Sequence, residues 1–283
     1  MSFDKKKKIK KWLVIIILTT ISIFNLYPYL FVVTGSLKPS YEIFSGLLPK
    51  KLSSLSFSNY TEAFSMKQVP FLKAFFNSLF VTGFVTLSVI FFSAITGYAI
   101  AKLKFKGRNL LLNFVVFQWI FPGTGVGFIV VFSMINKFNL MNTYTSMIIP
   151  FMMTAWGVYL FSQFFKTIPK DIIEAARIDG ASEFQVIFKI MLPMSKSVAV
   201  ILGIFTFMGR WNELLWDLLV VRKPEMMTLN VLISNYFLGG GGKDNIGVTF
   251  TAAVLLTMPI LILFIIFRGA FTEGISIGEG LKL

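Results

Sequence analysis

The sequence contains no cysteine and no histidine. Without thiols there is neither a disulfide framework nor a thiolate metal site, and without imidazole there is no His-based proton relay and no His metal site. Charge is scarce too. Asp, Glu, Lys and Arg make up 14% of the residues, against 55% hydrophobic and 16% aromatic, so the chain is more apolar and far less charged than a soluble domain. It has to be solvated by lipid. Signatures of chemistry are also absent: no Walker A, nucleophile elbow, metal motif or glycine-rich dinucleotide turn occurs. The Gly-Gly-Lys ending at Lys243 is no P-loop, because Phe237 stands where the first Gly belongs and Asp244 where Ser or Thr belongs. Any energy for work must come from a partner.

What the chain does have is long apolar runs. Uncharged stretches cover 12–37, 74–101, 109–136, 138–165 and 246–267, each reaching the roughly 20 residues a helix needs to cross about 30 Å of hydrocarbon. A sixth, 197–221, is interrupted by Arg210, Glu213 and Asp217. A charge at the centre of a span costs roughly 2.5 to 3.5 kcal/mol. At about 1.5 Å per residue, however, these three fall in the outer half of the segment, and it counts as a span. The predicted fold is therefore all-α: a polytopic membrane protein with six transmembrane helices, since lipid offers no partner to an unpaired backbone.

The net charge of +14 is a topology signal rather than a nucleic-acid footprint. With the N-terminus inside, the Lys run of the cytoplasmic segment 1–11, Lys102 to Arg108, the loop 166–196 and the tail 268–283 together hold 17 of the 27 basic residues. Both termini are then cytoplasmic, and 38–73 and 222–245 are extracytoplasmic. The apolar part of the first segment is too long for a signal peptide, and no small-residue cleavage site precedes Tyr27 and Pro28, so an uncleaved anchor is expected.

The loop 166–196 reads as helix, turn, helix. Pro169 suits a helix start, and Asp171 and Glu174 favour the positive end of the dipole. Gly180 after Asp179 is a left-handed stop, Ser182 with Gln185 is a capping box for a second helix, and Pro193 is expected to end it. On that helix Phe184, Ile187, Phe188 and Met191 share one face. Such a stripe packs either beneath the protein's own spans or against a partner, and the residues alone leave both open. Ala175 and Ala176 are small enough to let a partner approach.

Glu174, Ala175 and Ala176, then Gly180 after three intervening residues and Ile190, Leu192 and Pro193 after nine more, are similar to the EAA loop of bacterial ABC importer permeases. The six-span plan, the stretch GRWNELLWDLLV from Gly209 and the tail FTEGISIGEGLK look like the smaller permease subunit of maltose-type carbohydrate importers. The tail departs in detail, with Gly278, Glu279, Gly280, Leu281 and Lys282 where such subunits often end near Gly-Ala-Val-Lys-Gly. The resemblance implies a permease that is not itself an enzyme and carries no cofactor. ATP and Mg belong to two partner ATPase subunits, which dock on the EAA loop. A second permease subunit, an extracytoplasmic solute-binding protein and a bacterial cytoplasmic membrane complete the picture. Coupling would fall to Glu174, Ala175, Ala176, Asp179, Gly180, Phe184, Ile187, Phe188, Ile190, Leu192 and Pro193.

Three further features are candidates. Trp211, Asn212, Glu213, Trp216 and Asp217 gather polar and aromatic groups on the fifth span, where a continuous helix stacks Asn212 with Trp216 and Glu213 with Asp217 at i,i+4, either lining a translocation path or forming an interfacial belt. Pro122 and Gly123 break the third span, as a gate or through close packing of small residues. Gly239, Gly240, Gly241 and Gly242 form an outer loop that serves either as a linker or, by the resemblance, as a contact for the binding protein. The functional alternatives are an ABC permease for another solute, such as a glycerol phosphate ester, a secondary transporter, and a membrane enzyme. Five spans without a carboxylate argue against ion coupling.

Overall fold

The computed structural model describes residues 3–65, 70–120, 126–238 and 246–280, and no strand occurs among them. Pro122, Gly123, Gly239 to Gly242, Leu281 and Lys282 lie outside the described residues. The chain divides into two compact units, one formed by Met1–Phe71 with Ile233–Pro259 and the other by Leu72–Leu232 with Ile260–Leu283. Three helices are long and apolar enough to span a membrane, or up to five if each of two bent pairs is one span.

In the first unit, α1 (Phe3–Ser36) begins ahead of the Lys run and of the expected 12–37, and its most apolar stretch is exposed throughout, burial starting only at Gly35 and Ser36. The segment that follows had no legible fold in the sequence. It forms two 3-10 turns, Ser40–Ser45 and Leu52–Ser54, and α2 (Ser58–Ser65). Buried polar groups tie it together. Glu42 accepts from Lys50 N at 2.7 Å and Ser54 Oγ at 3.1 Å, Lys38 Nζ donates to the Gly46 carbonyl, and Asn59 Nδ2 donates to the Ser36 and Lys38 carbonyls. Phe31, Phe44 and Phe250 close an aromatic cluster beside them.

The second unit is built on α3 (Phe71–Lys102), close to the expected 74–101. Gly97 of α3 sits against Phe161 and Gly157 against Ser93, so near that a Cβ on either would fall within 3 Å of the neighbour. Small residues thus let α3 and α7 (Ala155–Thr167) cross closely, as is usual where lipid gives helices no hydrophobic reason to associate. Where 109–136 was expected to be one span, there are two helices, α4 (Arg108–Ile120) and α5 (Val126–Lys137). The expected span 138–165 is α6 (Tyr144–Ile148), a 3-10 turn at Ile149–Phe151 containing Pro150, and α7, with a 44° bend across the break. Thr154 caps α7 by accepting from Gly157 N.

The loop 166–196 contains α8 (Lys170–Ile178) and α9 (Glu183–Met194). The last elements are α10 (Lys196–Trp211), α11 (Leu215–Val220), α12 (Leu229–Leu238) and α13 (Ile246–Gly280). Pro259 lies inside α13, which runs on beyond the expected 246–267. Asn77 near the start of α3 holds the segment after α11, donating to the Glu225 and Met227 carbonyls while accepting from Tyr144 OH at 2.7 Å.

Candidate functional site: a coupling loop and a broken helix

Local sequence chemistry accounts for most of α8 and α9. Pro169 (ψ 143) is the N-cap of α8. The first helical residue is Lys170, one later than the start expected at Pro169, whose ring keeps φ at −56° while its ψ is extended. Asp171 lies in the first turn and Arg177 in the last, each matching the dipole. Gly180 takes φ +84°, the left-handed stop that a Cβ penalises. The capping box is closed on both sides: Gln185 N donates to Ser182 Oγ and Ser182 N to Gln185 Oε1.

Pro193 does not end α9. The helix passes through it to Met194, because Val186–Met191 is wound as a π-helix in which Leu192 N–H reaches the Ile187 carbonyl, five residues back. Widening the turn ahead of a proline removes the clash that an α-helical carbonyl would suffer. It also rotates the face. Val186, Ile187 and Met191 are buried, Phe188 is half-buried and Phe184 is 63% exposed, so the stripe expected from a 3.6-residue period is not buried as one. The two readings of that stripe divide along the helix. Its inner part packs under the chain's own span, where Phe188 stacks on Phe91 of α3 at 5.1 Å. Phe184, with Glu174, Ala175, Asp179, Gly180 and Pro193, remains outward, while Ala176, Ile190 and Leu192 are half-buried.

One carboxylate gathers this region. Glu183 Oε2 accepts from Tyr98 OH at 2.6 Å, and Glu183 Oε1 accepts from Arg177 Nε at 2.9 Å and Nη2 at 2.8 Å. Burial works against the Arg177 charge, but attraction to Glu183 and Tyr98 and the hydrogen bonds to them prevail and raise its pKa above the ordinary guanidinium value. A cavity of about 360 Å³ beside it is lined by Lys102, Lys104, Lys170, Arg177 and Glu174.

The second region is the expected span 197–221, which is not one helix. The helix stops at Trp211, Asn212 is its C-cap, and it restarts at Leu215. The i,i+4 pairs Asn212–Trp216 and Glu213–Asp217 are therefore not stacked on one face. The break is held from both sides. Arg210 Nη1 and Nη2 donate to Asp217 Oδ2 and Oδ1 at 3.1 and 2.7 Å, Thr228 Oγ1 donates to Oδ2 at 3.1 Å, and Arg210 Nη2 reaches the Met147 carbonyl. The guanidinium also lies over the Phe151 ring, 5.0 Å from its centroid. Glu213 Oε1 accepts from Trp216 N and so caps the restarted helix.

Two cavities adjoin this break and share Phe151, Thr154 and Trp156. One of about 350 Å³ is also lined by Arg210 and Glu213, the other, of about 400 Å³, by Trp119, Phe128 and Trp216. Of the seven candidates for a path, Pro122 and Gly123 lie outside the described residues, and Glu213 and Trp216 line cavities. Trp211 is buried against Phe207 and Phe75, Asp217 is fully buried in its ion pair, and Asn212 is exposed and donates to the Met208 carbonyl. Sequence reasoning missed Trp156, Trp119 and Tyr98, which lie in uncharged runs with nothing local to mark them.

A helical membrane chain with an outward-facing capped helix pair and a helix interrupted around a buried ion pair has the build of a transport permease. Residues 90–277 match the binding-protein-dependent transport system inner membrane component family, and the chain belongs to it. It is 33% identical over 260 residues to the arabinooligosaccharides transport system permease protein AraQ of Bacillus subtilis, covering 91% of each chain. It is 28% identical over 279 residues to the trehalose/maltose transport system permease protein MalG of Thermococcus litoralis, covering 97% of this chain and 98% of that one. A crystal structure of a bacterial ABC transporter involved in the import of the acidic polysaccharide alginate contains a chain of the same fold. Its TM-score is 0.82 at 21% identity, over 95% of this chain and 99% of the other.

Proposed function

We propose that this chain is the permease subunit of an ATP-driven importer for a carbohydrate, probed first as an oligosaccharide, in a bacterial cytoplasmic membrane. It pairs with a second permease subunit, two ATPase subunits and an extracytoplasmic solute-binding protein. Both termini face the cytoplasm, and the segments 12–37, 74–101, 109–136, 138–165, 197–221 and 246–267 cross the membrane. The observation that carries this reading is the outward face of α8 and α9. Glu174, Ala175 and Phe184 are exposed on a pair of helices whose other face is already packed, so the free face is available to an ATPase. With no motif for ATP in its sequence, the chain transmits work and does not generate it.

The cavities by the helix break are the proposed path. Trp156 offers a ring face that suits the apolar faces of sugars, with the buried Trp216 forming part of the wall, and Glu213 and Thr154 offer acceptors for hydroxyls. A phosphate ester would want a free cation there, whereas Arg210 is spent on Asp217. Uptake of radiolabelled arabino- and malto-oligosaccharides by cells carrying Glu174→Ala with Gly180→Val, together with ATPase co-purification, is the test. The expected result is lost uptake and lost ATPase with normal membrane insertion. Undiminished uptake would sink the coupling assignment.

A further inference from the structure

The loop formed by α8 and α9 is joined to the spans on either side by links that are not helical. Before it, Ile168 (ψ 129) and Pro169 (ψ 143) are extended. After it, Ser195 (φ −101, ψ 24) separates α9 from α10, and the two helices are bent by 84°. A push along a rigid helix passes to whatever continues that helix. An extended dipeptide and a sharp bend pass it on only where another contact fixes their angles.

That contact is to α3. Tyr98, 1% exposed, donates to Glu183 at the first residue of α9, and the same carboxylate accepts from Arg177 in the last turn of α8. Arg177 Nη2 closes the triangle at 3.5 Å from the Tyr98 oxygen. One carboxylate therefore binds α3, α8 and α9 to each other. Lys102, one turn beyond Tyr98 on the same face of α3, adds a second tie: its Nζ donates to the Ile168 carbonyl at 2.5 Å, on the extended link itself. The Glu174 side chain stays out of this network and has no hydrogen-bond partner among the described residues, so the frame presents it to the outside.

We infer that Tyr98, Glu183, Arg177 and Lys102 form a latch through which movement of the coupling loop reaches α3, making them positioning residues for the coupling of ATP hydrolysis to transport. The inference rests on the reading of the α8–α9 face as the ATPase dock. The Arg177–Glu183 pair is almost half exposed, with side chains 42% and 45% accessible. Exposed ion pairs contribute little to folding. The Tyr98 bond is short, partly buried and charge-assisted, and so specifies geometry. A latch of this kind is distinguished from a mere brace by what its loss changes.

The test uses the whole importer, purified through a tag on this chain and reconstituted into liposomes with its binding protein, with solute uptake and ATP hydrolysis measured in parallel. Tyr98→Phe removes one oxygen and keeps the ring that packs on Phe165. Solute moved per ATP hydrolysed should fall roughly three- to tenfold in Tyr98→Phe and in Glu183→Gln. The double variant should be no worse than the poorer single one, because both break one link. Glu174→Ala tests the dock separately: retained ATPase and a wild-type ratio in that variant would overturn the dock and the latch with it. Should Glu174→Ala uncouple while Tyr98→Phe and Glu183→Gln keep the wild-type ratio, the latch alone is overturned. A lowered melting temperature at an unchanged ratio overturns it as well. If Glu183→Gln does not assemble, Tyr98→Phe decides.

Discussion

Two arginine–carboxylate pairs, Arg210–Asp217 and Arg177–Glu183, use the same chemistry at opposite extremes of burial. The first has side chains 3% and 0% exposed and sits inside the break between α10 and α11, while the second is 42% and 45% exposed and joins α8 to α9. A pair removed from water must be geometrically complete, because each ion has lost its hydration. Asp217 is accordingly met on both oxygens, by two arginine nitrogens and a threonine, although Arg210 Nε has no partner among the described residues. An exposed pair keeps its water and is free to separate. The buried pair fixes a shape. The exposed pair lies between the two helices to which the latch assigns movement.

Removing one partner of each pair should widen that contrast. Asp217→Ala strands a buried guanidinium at a cost of about 3–5 kcal/mol, enough to abolish accumulation of the chain in membranes. Quantitative blotting of the membrane fraction reads this directly. Replacing the pair together, Arg210→Met with Asp217→Leu, should restore most of the lost protein, since no orphaned charge is left. Equal loss in the single and paired variants would show that the ion pair specifies the break itself.

How much of either region is legible in the sequence follows from how local its causes are. Pro169, Gly180, Ser182 and Gln185 act within a few residues of themselves, and the helix start, the left-handed stop and the capping box were all predicted from them. The face of α9 misled because a π-turn ahead of Pro193 changes the period, so that Val186, Ile187 and Met191 are buried while Phe184 is left exposed. The break after Trp211 was hidden for a related reason. Its charges read as an i,i+4 set on a continuous helix, whereas Asp217 is satisfied by Arg210 across the break and by Thr228, 11 residues on. Tyr98 gave no signal at all, since its partner stands 85 residues away. The segment after α1 was illegible because its order comes from Lys38, Glu42 and Asn59 bonding to backbone groups.

Intermediate effects belong to the turn that separates α8 from α9. Gly180→Ala places a Cβ into open space, since nothing lies within 4 Å of it, so the whole penalty is the left-handed backbone, about 1–2 kcal/mol. Ser182→Ala removes one half of the capping box and should cost about 1 kcal/mol. Thermal unfolding of the detergent-solubilised chain, followed by loss of helical circular dichroism, ranks the two. Both should fall below Asp217→Ala. A Ser182 effect exceeding that of Gly180 would mean that the capping box, and not the glycine, sets the angle between the helices.

The smallest expected effect is the most informative about the comparison. Arg177→Met removes the exposed pair without leaving a buried charge, because Glu183 keeps its Tyr98 bond and its access to water. The stability change should lie below about 1 kcal/mol and vanish as salt is raised. Its transport-to-hydrolysis ratio should nonetheless fall, since α8 then loses its bond to the Glu183 carboxylate and Lys102 holds the link ahead of it at Ile168. Stability and coupling would part company at this residue, whereas at Asp217 they are lost together. A stability loss at Arg177 comparable to that at Asp217 would remove the distinction between a pair that holds shape and a pair that transmits it.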